Sequence, residues 1–135
     1  MNEGYRNSSI YGMLGYFKLL RNDDLDETTK LCEEAYDYNS DDRDIKDNLS
    51  ICYFRKGEYE KAEKISDELV GSTPNFVEGF YHGIQIAMKL NKYDKAAEYA
   101  EKLKECKRSG MTTVTEEEVN KLIQEVKNHN ENTIG

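Results

Sequence analysis

The sequence predicts an all-α fold built from stacked helical hairpins, and three observations predict it. A motif recurs after 34 residues: Gly57-Glu58-Tyr59-Glu60-Lys61-Ala62 returns as Asn91-Lys92-Tyr93-Asp94-Lys95-Ala96, and Leu69 maps onto Leu103 at the same offset. Apolar residues keep spacings of three and four, as one face of a helix requires. Turn residues fall between those faces at the intervals a short hairpin needs. A period in the range of roughly 20–50 residues marks stacked supersecondary units, and such stacks act through an extended surface. Binding is therefore expected ahead of chemistry.

The helices are expected near residues 9–21, 25–38, 43–55, 59–71, 77–89, 93–107 and 115–129. Ile45, Leu49, Cys52 and Tyr53 share one face, and Tyr59, Ala62, Ile65, Ser66 and Leu69 share the next. Between them, Gly57 supplies the positive-φ residue that ends one helix and allows a tight turn. Pro74, the single proline, marks a helix stop and restart. Phe80, Tyr93, Ala96, Ala100 and Leu103 carry the following hairpin. Its smaller Gly83 and Ala87 and its turn residue Asn91 predict looser packing there. Counting 34 back from Arg43 reaches Ser9, where Gly15, Tyr16, Leu19, Leu25, Cys32 and Ala35 outline a degenerate first hairpin. Asp23 takes its turn position and Thr28 the place of the small alanine. Thr115 with Glu118 reads as a capping box that starts a terminal helix. Val119, Leu122, Ile123 and Val126 form its apolar stripe, and residues 130–135 are expected to fray.

Composition narrows the function. The formal charge is −8 and 34% of residues are charged. Residues 9–76 hold 16 acids against 9 bases, so nucleic acid would meet repulsion over most of the surface. No run reaches the ~20 apolar residues of a membrane span. The first residues also lack the grammar of a signal peptide. Cys32, Cys52 and Cys106 are odd in number and widely spaced, which fits reduced buried thiols and a cytoplasmic setting. Cys52 lies on the packing side of its helix and reads as inert. His82 and His129 have no Cys or His at ligand spacing, so no metal is expected. Asp23-Asp24-Leu25-Asp26-Glu27 lacks the offsets of a calcium loop. Phosphate-binding and nucleophile motifs are missing. No catalytic residue and no cofactor emerges, and the chain is not expected to be an enzyme.

Leu49, Tyr53, Gly57, Tyr59, Ala62 and Pro74 resemble, at matching spacing, the signature of the tetratricopeptide repeat family. The resemblance implies one domain, a right-handed α-solenoid. Its repeats would span 9–42, 43–76 and 77–110, followed by a capping helix at 115–129. It also implies that the first helix of each unit lines a concave groove where a partner peptide or helix lies. Mapped residue by residue, that groove comprises Met13, Phe17 and Leu20; then Asn48, Ile51, Phe54 and Arg55; then Tyr81, His82, Gln85, Met88 and Lys89. Asp44, Asp47 and Glu78 also map there, although Asp44 and Asp47 at a helix start read as ordinary caps and Glu78 as a surface pair with His82 at i, i+4. One subclass of the family clamps the carboxylate tail of heat-shock chaperones with two Lys, one Arg and two Asn. Only Asn48 matches, while Met13, Phe17, Glu78 and His82 hold the other clamp positions. Chaperone-tail binding is disfavoured.

Three functions follow from the resemblance. The first is a protein–protein interaction module that holds a partner peptide or helix. The second is a small acidic chaperone of the secretion type, cradling an apolar client segment. The third is a piece of a larger scaffold. The apolar helix at 9–21 would then pack on residues 1–8, on upstream repeats or on a second copy as a homodimer.

Overall fold

The computed structural model describes residues 16, 18, 19, 21, 24–73, 75–106 and 114–134, with backbone alone for 130–134. Six helices are described: α1 (Leu25–Tyr38), α2 (Arg43–Arg55), α3 (Tyr59–Ser72), α4 (Val77–Lys89), α5 (Tyr93–Glu105) and α6 (Glu116–Ile134). No strand occurs among the described residues. Most of the helix expected at 9–21 lies outside them, although Tyr16, Lys18 and Leu19 are helical. Pro74 also lies outside. Helix α6 continues to Ile134, past the point where fraying was expected at residue 130.

The helix ends repeat with the sequence. At the end of α2 the Gly57 N–H donates to the Phe54 carbonyl (3.0 Å) and the Glu58 N–H to Tyr53 (2.9 Å). At the end of α4 the Asn91 N–H donates to Met88 (3.2 Å) and the Lys92 N–H to Ala87 (2.8 Å), each shifted by one period. Both closures are Schellman motifs and need a left-handed residue after the cap. Gly57 has φ 81° and Asn91 has φ 60°. Asparagine is the side chain that tolerates this region best, so it can replace glycine in the later turn. Nothing lies within 4 Å of a Cβ built on Gly57. Gly57→Ala is therefore expected to cost about 1–2 kcal/mol from backbone strain alone. Gly57→Asn should cost clearly less, as urea unfolding of the two variants would show.

The starts of the second helices repeat as well. Amides of Thr28, Ala62 and Ala96 donate to the carbonyls of Asp24, Glu58 and Lys92 at 2.9, 3.0 and 3.0 Å. Those three residues, one period apart, are 1%, 0% and 0% exposed. Only small side chains fit where paired helices approach this closely. Thr28 fits by turning its hydroxyl back onto the Asp24 carbonyl at 2.8 Å. Ala35, Leu69 and Leu103 form a second buried series at the same interval, and Cys32, Ser66 and Ala100 a third.

The chain divides into two compact units, Met1–Leu69 and Val70–Gly135. In the first, Leu19, Cys32, Leu49, Cys52 and Ile65 form one core cluster, with Tyr36, Ile51 and Tyr53 packed against it. Two hydroxyls tie its helices together. Tyr53 Oη donates to Glu33 and Tyr36 Oη to Glu68, each at 2.7 Å. The Glu68 acceptor pushes the Tyr36 hydroxyl up to about 12, with burial adding to it. A raised acid of this kind stabilises the fold fully below the ordinary tyrosine pKa of about 10 and stops doing so as pH rises through 12. Stability should therefore fall between those values. Alkaline titration of Tyr36→Phe, followed by circular dichroism, should show a shallower decline.

Ser66 Oγ is buried and has no hydrogen-bond partner among the described residues. An unpaired buried hydroxyl costs roughly 1–3 kcal/mol, and alanine stands one period later at Ala100. Ser66→Ala is expected to raise the urea midpoint, by about 1 kcal/mol of stability.

In the second unit Val77, Phe80, Ile84 and Ala87 of α4 meet Ala96, Tyr99, Ala100 and Leu103 of α5, and Val119, Leu122 and Val126 of α6 cover them. Gly83 and Ala87, expected to loosen this hairpin, are both buried. Bulk returns at Phe80, where the previous unit has Lys46, and at Tyr99, where it has Ile65. Their rings meet edge to face at 5.6 Å.

Candidate protein-binding faces

The first helices of the two complete hairpins, α2 and α4, carry the residues expected to meet a partner. In α4, 3.6 residues per turn put Val77, Phe80, Ile84 and Ala87 on the core side. Tyr81, Gln85 and Met88, at i, i+4 and i+7, then form an adjoining stripe, and all three are half-buried. Tyr81 and Met88 rest partly on the core, so they are held in place rather than free to swing. His82 stands edge-on to the Tyr81 ring at 5.7 Å, and Lys89 is exposed at the helix end. Burial pushes the Tyr81 hydroxyl up, and Glu118 and Glu125 of α6 add to the shift.

Those two glutamates are neighbours of the stripe that the repeat pattern did not identify. They lie seven residues apart and so share a face of α6. That spacing was the available signal, but the repeat itself says nothing about where a capping helix turns its acids. The capping box formed as expected: the Glu118 N–H donates to Thr115 Oγ1 and the Thr115 N–H to Glu118 Oε1, both at 3.1 Å.

In α2 the expected residues are placed unequally. Ile51 and Phe54 are half-buried, with Ile51 against the core. The Phe54 ring meets Tyr59 edge to face at 5.5 Å. Arg55 is exposed, and its Nη1 donates to the Leu19 carbonyl at 3.0 Å. That bond holds the guanidinium to the N-terminal segment. Asn48 is only 4% exposed, and Lys46, Asp47 and Ser50 of the same helix are buried as well. The cap of α2 is Asp42, which accepts from Asp44 and Ile45 amides, while Asp47 is buried. Met13, Phe17 and Leu20 lie outside the described residues.

No group of three or more metal-binding side chains occurs among the described residues. His129 is instead stacked on Tyr93, with ring centroids 3.7 Å apart. No helix among the described residues is long and apolar enough to cross a membrane.

Residues 19–78 match the family model for the tetratricopeptide repeat. The comparison with curated proteins gives no match. Among solved structures, the chain is similar to the Sgt2 TPR domain from Aspergillus fumigatus at 16% identity and a TM-score of 0.80, over 94% of this chain and 81% of that one. It is also similar to the first TPR of Spaghetti (RPAP3), solved with an HSP90 peptide, SRMEEVD. There the identity is 14% and the TM-score 0.77, over 92% and 93% of the two chains. A third likeness is to the Hsp90 co-chaperone Cns1 from Saccharomyces cerevisiae, at 12% identity and a TM-score of 0.77. It covers 98% of this chain but 42% of that one. At these identities the solved structures speak for the fold, an all-α tetratricopeptide solenoid. With the helix ends and buried positions recurring every 34 residues and the family model matching residues 19–78, the chain has the fold of a tetratricopeptide repeat protein.

Proposed function

We propose that this chain is a non-enzymatic, cytoplasmic interaction module that binds a peptide or helix of a partner protein on the exposed faces of its first helices. The observation that supports this most is the Tyr81–Gln85–Met88 stripe on α4. Aromatic and thioether side chains that are half-buried and fixed by the core make adaptable apolar contacts at little entropic cost. Ile51 and Phe54 of α2 offer the same chemistry. Met13, Phe17 and Leu20 would extend the surface.

The relatives bound to or named for Hsp90 make a polypeptide ligand the natural class. An acidic tail such as SRMEEVD is disfavoured here. Glu78 and His82 hold two of the clamp positions and supply no lysine or arginine there, and Glu118 and Glu125 add negative charge beside Tyr81. A ligand with apolar anchors and neutral or basic flanks suits this surface. Immobilised chain should capture a polypeptide, and the capture should survive nuclease treatment. Capture that depends on RNA or DNA, or no polypeptide capture at all, would contradict the proposal.

A further inference from the structure

The pair Cys32 and Cys52 plays no part in the binding faces. Cys32 lies in α1 and Cys52 in α2, helices joined by residues 39–42, and their sulfurs are 3.8 Å apart. The two are 2% and 0% exposed, within the cluster that also holds Leu19, Leu49 and Ile65. Cys106 belongs to the core cluster of the other unit. All three are free thiols.

We propose that Cys32 and Cys52 are a reversible oxidation site that closes to an intramolecular disulfide in the presence of a peroxide, pinning α1 to α2. The sulfurs already touch, so the 3.8 Å gap needs to shrink only to the roughly 2.0 Å of a bond. Either sulfur of the touching pair can attack first; with Cys52 first, the side chains of Thr29 and Arg55 favour its thiolate and burial works against it. In that order Cys32 keeps its proton. The Cys52 thiolate attacks one peroxide oxygen and the O–O bond breaks. Hydroxide leaves and takes up the proton Cys52 lost, giving water and a sulfenic acid. The Cys32 sulfur then attacks the Cys52 sulfur, the S–O bond breaks, and the hydroxyl departs as a second water with the Cys32 proton. Two thiols and one hydrogen peroxide become one disulfide and two waters. Two electrons pass from sulfur to the peroxide oxygens.

Burial means that peroxide arrives only when the hairpin opens locally, so oxidation should quicken in urea below the unfolding transition. The bond would close a loop from residue 32 to 52, restrict the unfolded chain, and raise Tm by roughly 10 °C. The test uses the full chain carrying Cys106→Ala, which leaves the pair intact. It is treated with hydrogen peroxide, alkylated under denaturing conditions and mapped by mass spectrometry. The expected result is a loss of about 2 Da, one crosslinked peptide pair containing Cys32 and Cys52, a raised Tm, and full reversal by dithiothreitol. Sulfinic acid without a crosslink, crosslinked dimers, or no reaction even at opening urea concentrations would each overturn the site. A crosslink that lowers Tm would overturn the pinning of α1 to α2.

Discussion

Phe80→Ala is expected to destabilise the second unit by about 3–5 kcal/mol, a large fraction of the roughly 5–15 kcal/mol available to a small domain. Phe80 is 3% exposed and lies in one cluster with residues of α4, α5 and α6. Its ring also meets Tyr99 edge to face. Two small neighbours raise the cost. Gly83 and Ala87 cannot extend into the vacated space, and the cavity term grows with the volume left unfilled. Urea unfolding read by far-UV circular dichroism measures the effect. A loss below about 1 kcal/mol would mean that the hairpin does not depend on this ring to replace the bulk missing at positions 83 and 87.

Tyr81→Ala combined with Met88→Ala is expected to weaken partner capture about 10- to 100-fold or more, since buried anchors of this kind carry a few kcal/mol between them. Both side chains rest against the core, so some stability is lost as well. A far-UV spectrum that keeps its helical signal separates the two effects. Gln85→Ala, in the same stripe but without an apolar anchor, should weaken capture much less. Equal losses for the double variant and for Gln85→Ala would point to charge or backbone contacts instead.

The repeat made most of the fold legible. A 34-residue period read from Gly57, Tyr59, Ala62 and Leu69 predicted helix starts at residues 25, 43, 59, 77 and 93, and all five match. Capping chemistry is local, so Thr115 and Glu118 could be paired from sequence alone. Contacts between helices were not legible. The Tyr36–Glu68 and Tyr53–Glu33 bonds join residues 32 and 20 positions apart, and nothing in their local sequence distinguishes them from solvated polar groups. The exchange of bulk between Phe80 and Gly83 was missed because each position was compared with its own counterpart rather than with its neighbours in space. Its place in the repeat maps Asn48 to the groove, yet α2 buries Asn48 together with Lys46, Asp47 and Ser50. A helix enclosed on more than one side hides polar groups that a single-face pattern assigns to solvent. The acids of α6 lie outside the repeat, so no period could place them beside Tyr81.

Site-resolved photo-crosslinking tests the central claim most directly, namely that the first helix of a hairpin faces the partner while the second does not. A photoreactive residue placed at Gln85, half-buried on α4, should crosslink to a captured polypeptide. The same residue at Glu101, exposed on α5, should not. Crosslinks from position 101 with none from position 85 would contradict the account.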